Sequence, residues 1–360
     1  MKRFSQNYIA VTLVLAGIMT AFCFFSETDL PGMALQRLGE NEKFAVVALS
    51  SELGFIPEEY AEHTPPMPDP LPEPETVTET AGEGGSLAQT EQDLILPDDS
   101  GIAPITIAPS EGSGSYASAG GVFLSNDSGL AVDAASMRKN PYRITLDQDG
   151  SVEVFLLHTH ASEAYTPDET NYYTPTDNDR TTDTNFNVVR VGDEIEKTLT
   201  AMGIGVLHCR EILDVPSYSG SYNKALEVIE DAVSKNPSIK IILDIHRDAM
   251  ITSEGIKYKT VTQIGDQEGA QLMLVMGTNA GGLSFDHWQT NLNFAVNLQS
   301  AIQQQYPTLM RPINVRKQRF NEHVTTGSML LEVGTSGNTL DEALLSARTF
   351  AKLLGDYITN

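Results

Sequence analysis

Residues 152–165, VEVFLLHTHASEAY, constrain the fold more than any other stretch of the chain. Val152, Val154, Phe155, Leu156 and Leu157 make a short apolar run, the pattern of a strand buried on both faces in a parallel sheet. The run leads without a break into His158, Thr159, His160 and Glu163. In open α/β sheets ligands bind just past the carboxyl ends of the strands. Two imidazoles and a carboxylate therefore stand where such a fold places its chemistry.

From residue 151 onward strand and helix patterns alternate. A helix over 186–202 puts Val188, Val191, Ile195 and Leu199 on one face, with Asn185 as its N-cap. A second helix spans 221–235. A strand over 239–245 delivers His246, and a hairpin over 250–264 turns at Ser253-Glu254-Gly255. A strand over 271–277, a helix over 288–305, a strand over 328–333 and a helix over 340–358 complete the series. The last helix opens on Thr339 and Glu342, spaced as a capping box. The order predicts an α/β domain with a mostly parallel sheet and helices on both faces. No glycine-rich phosphate cradle follows a strand, which argues against a nucleotide ligand.

The N-terminal part obeys other rules. Lys2 and Arg3 precede Tyr8–Phe25, an uncharged apolar segment that would span ~27 Å as a helix. This predicts one transmembrane anchor within residues 1–29, with the remainder outside the cytoplasm. Between residues 26 and 150 there are 22 acidic and 5 basic residues, many among Pro, Gly, Ser and Thr. Such chain buries too little apolar surface to offset its ordering entropy, so residues 30–150 read as a disordered acidic Pro-rich linker and 151–360 as the catalytic domain. A net charge of −25 argues against a nucleic-acid binder. Two cysteines, Cys23 and Cys209, allow neither a disulfide framework nor a thiolate metal site.

Three strand ends carry polar residues that a core does not explain. The first holds His158, His160 and Glu163; residues i and i+2 of extended chain face the same way, so both imidazoles could approach one point. The second is Asp-Ile-His-Arg-Asp, with His246 as a metal ligand and Arg247 and Asp248 beyond it as substrate contacts. The third is Glu332 in an otherwise apolar strand, where an unpaired carboxylate costs several kcal/mol. A Zn²⁺ site with His and carboxylate ligands and an open position for water accounts for all three. Glu332 then serves as general base. Of the two histidines before Ala161, His160 is favoured as ligand because it lies further from the apolar strand. His208, His287 and His323 read as structural or solvated residues.

Taken together and in this order, HTHASEAY, NVVRVGDEIEKTL, SYSGSYNKALEVIE, NPSIKIILDIHRDA, LMLVMGTN and LLEVGTSGNTLDEAL resemble the stage II sporulation protein P family over about residues 150–358. The resemblance implies an amidase-like fold related to the zinc N-acetylmuramoyl-L-alanine amidases. It implies a peptidoglycan hydrolase that cleaves between N-acetylmuramic acid and the stem peptide, with endopeptidase action on stem cross-links also credited to the family. The implied setting is engulfment during endospore formation, at the outer side of the septal membrane, with stage II sporulation proteins D and M as partners. Carried onto this chain, the implied metal cluster is His158, His160, Glu163 and His246, and the implied catalytic glutamate is Glu332. The chain departs from the wider amidase pattern where the first helix opens with asparagines, Asn185 and Asn187, in place of a ligating Glu. Other readings of the same site are a metallo-deacetylase or peptidase on another extracytoplasmic polymer, and a wall-binding scaffold without catalysis.

Overall fold

The computed structural model describes residues 101–359, apart from 112–115, 177–178 and 254. The anchor expected in residues 1–29 and the linker up to residue 100 lie outside the described residues. Among the described residues, no helix is long and apolar enough to cross a membrane.

In chain order the elements are β1 (Ile102–Ile105), β2 (Ala117–Ala119), β3 (Val122–Asn126), α1 (Ala134–Lys139), β4 (Val152–Leu157), α2 (Val188–Ala201), β5 (Gly205–His208) and α3 (Ser221–Lys235). They continue as β6 (Ile241–Asp248), β7 (Lys257–Ile264), β8 (Gln267–Ala270), β9 (Leu272–Met276), α4 (Trp288–Gln305), β10 (Ile313–Val315), β11 (Gly327–Thr335) and α5 (Leu340–Thr359). Eight strands form one sheet in the order β2-β3-β10-β9-β11-β6-β4-β5. Its neighbours run parallel except β2–β3 and β9–β11, so the sheet is mostly parallel, as read from the sequence, with two antiparallel pairs. A smaller sheet, β1-β7-β8, stands beside it.

Side-chain alternation divides the large sheet cleanly. Val154, Leu156, Leu243, Ile245, Leu331 and Val333 face one way and join the main core with residues of α2, α4 and α5. Phe155, Leu157 and Ile242 face the other way and pack on Ala225, Ile229 and Ala232 of α3. Helices thus cover both faces, but unequally. Beyond α3, among the described residues, the second face carries only a small cluster, Met273, Val275 and Leu330 with Tyr222 and Phe320. That uncovered stretch of sheet becomes the floor of the cleft described below.

Local chemistry sets the element ends. In α2 the four periodic positions Val188, Val191, Ile195 and Leu199 are fully buried, each contributing roughly 1.5–3 kcal/mol. Its N-cap is Asn187, not Asn185: the Asn187 side chain accepts from Val189 N, while Asn185 turns back on Asp183. Thr339 and Glu342 satisfy each other's backbone N–H at 3.1 and 3.3 Å, the capping box expected for α5. The chain does reverse near residues 252–256, where Thr252 N donates to Ile256 O. The longer hairpin, however, is β7–β8, turning at Gly265, whose φ of +63° favours glycine.

The boundary at residue 150 requires correction. The described residues between 101 and 146 build onto the domain: β3 pairs in parallel with β10, β1 pairs with β7, and Val122, Leu124, Ile144 and Leu146 enter the main core. The acidic, Pro-rich average of residues 30–150 conceals these strands because each has only a few apolar residues. A chain begun at residue 151 would expose the edge of β10 and lose part of the core. It is expected to melt roughly 10 °C or more below a chain begun at residue 101, or to aggregate, since a loss of several kcal/mol moves Tm by a few degrees per kcal/mol. Equal melting temperatures by circular dichroism would contradict this boundary.

Candidate metal and catalytic site

β4 ends at Leu157, and the chain leaves the extended conformation there. His158 turns toward α2. Its Nδ1 lies 2.9 Å from Ile245 O and its Nε2 lies 2.8 Å from His208 Nε2. A carbonyl only accepts, so His158 carries its proton on Nδ1 and His208 donates from Nε2. Burial lowers both imidazoles to a pKa of about 3, helped by their neighbours His208 and Arg210 respectively. Gly192 of α2 makes this possible: a Cβ there would stand 2.6 Å from His208 Nε2 and 2.7 Å from His158 Nε2. His158 is therefore a core histidine and not one of the gathered ligands. The i, i+2 argument failed because the two histidines follow the last residue of the strand. His208 also lies with Asp193 and Glu196 in a second group whose ligand atoms come within 4.8 Å of one another. The nearby carboxylates Asp193 and Glu196 already face a cation, the Arg210 guanidinium.

His160 goes the other way. A tight turn, with Glu163 N donating to His160 O at 3.0 Å, brings Glu163 back beside it. Thr159 ties this turn to β6 by donating from N and Oγ1 to the Asp244 carboxylate at 2.8 and 2.6 Å. His160, Glu163 and His246 then offer ligand atoms that all lie within 4.8 Å of one another, and the three residues are only 3%, 5% and 3% exposed. His160 Nδ1 stands 3.7 Å from Glu163 Oε1, and His246 Nδ1 stands 3.3 Å from Glu163 Oε2. His246 Nε2 lies 3.0 Å from Asp244 Oδ1.

The electrostatics suit a cation. Burial alone would lower His246, but Asp244 and then Glu163 outweigh it and hold the imidazole well above its ordinary value. Burial alone would raise Glu163, yet His246, Arg247 and His160 hold it below the usual carboxylate range. Burial dominates at His160, lowering it to about 3 and leaving a neutral imidazole with a free lone pair. Among the described residues, His160 Nε2 is buried without a hydrogen-bond partner, while His246 Nε2 faces Asp244. Two nitrogens and a carboxylate converging in this way fit a divalent ion of the zinc type, with Asp244 placed to orient His246.

Glu332 is carried to the same place by strand register. It pairs with His246 across β11 and β6, so both side chains emerge on the α3 face. Burial, assisted by Asp248 and Glu163 and opposed by His246, raises its carboxyl above the ordinary range. Its Oε2 has no partner. His160, Glu163, His246 and Glu332 all line one open cleft of about 1110 Å³. Arg247 and Asp248 also line it, but both have protein partners. Arg247 donates from Nε to Ala164 O at 2.8 Å and from Nη2 to Asp179 O at 3.3 Å, and Asp248 accepts from Arg311 Nη1 at 2.7 Å. They brace the loops around the cluster.

Sequence reasoning missed the wall opposite the sheet. Tyr218 stacks on His160 with centroids 4.2 Å apart, and the Arg180 guanidinium lies over the ring of that tyrosine at 4.9 Å. Arg180 is fixed by Glu163 at 3.2 Å and Asp214 at 2.8 Å. Tyr222, at the start of α3, meets His160 edge-on. The signals were a Tyr/Ser/Gly cluster before α3 and a lone arginine in a long polar loop, neither with a spacing that names a partner.

A profile of the family described as Stage II sporulation protein P (SpoIIP) matches residues 108–355. The chain belongs to that family. Stage II sporulation protein P of Bacillus subtilis (strain 168) is 27% identical over 216 residues, which cover 56% of this chain and 50% of that protein. The chain thus spans about half the length of the curated relative it matches. Among solved structures, an N-acetylmuramoyl-L-alanine amidase of Nostoc punctiforme aligns at a TM-score of 0.31 and 12% identity, over 58% of this chain and 97% of its own. One from Mycobacterium smegmatis aligns at a TM-score of 0.34 and 11% identity, over 58% and 98%.

The histidine pair under α2 has a direct test. Gly192→Ala is expected to destabilise the domain by about 1–3 kcal/mol through overpacking, read as a lower midpoint in urea unfolding. A midpoint equal to that of the wild type would show that the helix does not depend on this close approach.

Proposed function

We propose that the chain is a metal-dependent hydrolase of cell-wall peptidoglycan that cleaves the amide between N-acetylmuramic acid and the stem peptide. The observation that carries the reading is the meeting of His160, Glu163, His246 and Glu332 in one open cleft. Family membership supports the cell-wall setting and sporulation. His160, Glu163 and His246 would hold the ion. When bound, a divalent cation such as Zn²⁺ supplies a Lewis acid that polarises the scissile carbonyl and makes water more acidic.

The remaining work falls to the protein. Glu332, as a carboxylate whose Oε2 has no partner among the described residues, accepts a proton from the attacking water. It then returns that proton to the nitrogen of the leaving amine, so that the C–N bond breaks with a neutral amine departing. Asp244 keeps the His246 ring in place, and the Tyr218–Arg180 stack keeps His160 from rotating. The cleft is larger and more open than a pocket for a small molecule, as a polymer requires.

The same proposal includes a membrane anchor in residues 1–29, a linker from residue 30 to about 100 and an extracytoplasmic hydrolase domain on the septal membrane, working with stage II sporulation proteins D and M. It rests on the apolar Tyr8–Phe25 segment behind Lys2 and Arg3, and on the family's character.

Digestion of purified sacculi is expected to release stem peptides with new L-Ala amino termini; release of acetate or sugars alone would contradict the reaction. Glu332→Gln should retain bound metal and lose about 10²-fold or more in kcat. His246→Ala should lose both metal and turnover, measured by elemental analysis beside the assay. Near-normal turnover in Glu332→Gln would remove the carboxylate from its assigned role.

A further inference from the structure

Two buried carboxylates grip the turn that carries His160 and Glu163, one from each side. Asp244 accepts from Thr159 N and Oγ1. Asp214 does the same to Ser162: Ser162 N donates to its Oδ1 at 3.1 Å and Ser162 Oγ to its Oδ2 at 2.5 Å. Asp214 comes from the loop between β5 and α3, and its side chain is only 1% exposed. That loop is fixed on α3, because Leu213 packs in the α3 cluster and its carbonyl accepts from Lys224 Nζ at 2.7 Å. Asp214 is not one of the gathered metal ligands, so its burial needs another reason.

Arg180 joins Asp214 to those ligands. Its backbone runs antiparallel to the turn at Glu163, with Thr181 N donating to Ser162 O at 2.8 Å and Ala164 N to Asp179 O at 2.9 Å. Its guanidinium then forks: Nη1 pairs with Asp214 at 2.8 Å and Nη2 with Glu163 at 3.2 Å. The same guanidinium lies over the Tyr218 ring, which stacks on His160. Two of the three ligands, Glu163 directly and His160 through Tyr218, therefore take their position from one cation.

That cation carries a cost for a metal site. A guanidinium beside a ligand carboxylate repels an arriving divalent ion and competes with it for the same oxygen. A second carboxylate on the other arm of the fork offsets the charge. The planar fork still fixes the direction of both carboxylates, which a point charge such as a lysine ammonium would not do.

We propose that Asp214 is a positioning residue for the metal site. It draws the charge of Arg180 away from Glu163 and holds the fork in place, so that Glu163 is oriented for a divalent ion and still able to bind it. The inference rests on the metal-site part of the hydrolase reading. Asp214 acts through Arg180, and its contribution lies in affinity for the ion and not in bond breaking.

The test is the zinc affinity of the full chain, measured by competition with a chelator, for the wild type, Asp214→Asn, Arg180→Gln and the double variant. Asn keeps the shape of Asp and a partner for both Ser162 groups, so metal-free Asp214→Asn is expected to melt within a few degrees of the wild type. It should bind zinc at least about tenfold more weakly, the size seen when a ligand loses an outer partner. Asp214→Glu, which restores the charge, should recover most of that loss. Arg180→Gln should still bind zinc, because all three ligands remain. In that background Asp214→Asn should change the affinity less than about threefold, since the cation it acts through is gone. A residue that only props the loop would show the same loss with and without Arg180. That result, wild-type affinity in Asp214→Asn, no zinc bound by Arg180→Gln, or a metal-free Asp214→Asn chain that does not fold would overturn the proposal. A wild-type chain that binds no zinc would overturn the metal site with it. A chain that follows the predicted cycle and leaves sacculi intact retains the inference and loses the hydrolase reading.

Discussion

The parallel pairing of β11 with β6 is the constraint on which the rest of the structure depends. It sets Glu332 beside His246 on the one sheet face that α3 leaves open. A shift of one residue in that register would turn Glu332 into the apolar core formed with α2, α4 and α5. The loop after β4 is held to the same frame, because Thr159 donates twice to Asp244, two residues before His246. His160 and Glu163 are thereby measured from β6 as well. Four groups from three distant segments share one reference strand.

The charges gathered there explain why the arrangement stays together. Glu163, Asp244 and Glu332 approach one another in a poorly solvated place, where carboxylates repel unless positive charge is shared among them. His246 between Asp244 and Glu163 supplies part of that charge, and Arg180 and the backbone N–H of Arg247 supply more to Glu163. A divalent cation would take the same role more strongly and would compete with the proton on His246, coupling metal affinity to pH. The cluster is thus stable as a protein site and poised for an ion at once.

Much of this was legible from residue types. A run of apolar residues ending in His and Glu marked each of the site-bearing strands, and the amphipathic spacing of α2, α3 and α5 located the helices to within a few residues. The face on which each side chain emerges was legible only while the chain stayed in a strand. His246 and Glu332, inside β6 and β11, followed alternation; His158 and His160, after the end of β4, did not. What separates those two is Gly192, distant in sequence from both His158 and His208 but adjacent to both in the core, and no local pattern announces it. Arg180, Asp214 and Tyr218 were illegible for a similar reason: loops place them, and loops carry no period. The early strands β1 to β3 were hidden by the acidic composition around them.

The most direct measurement is diffraction from zinc-loaded crystals at wavelengths on either side of the zinc absorption edge. The account predicts one strong anomalous peak within bonding distance of His160, Glu163 and His246, with the Glu332 carboxylate facing it and no peak at His158 and His208. A peak at the His158–His208 pair, or none inside the cleft, would contradict it.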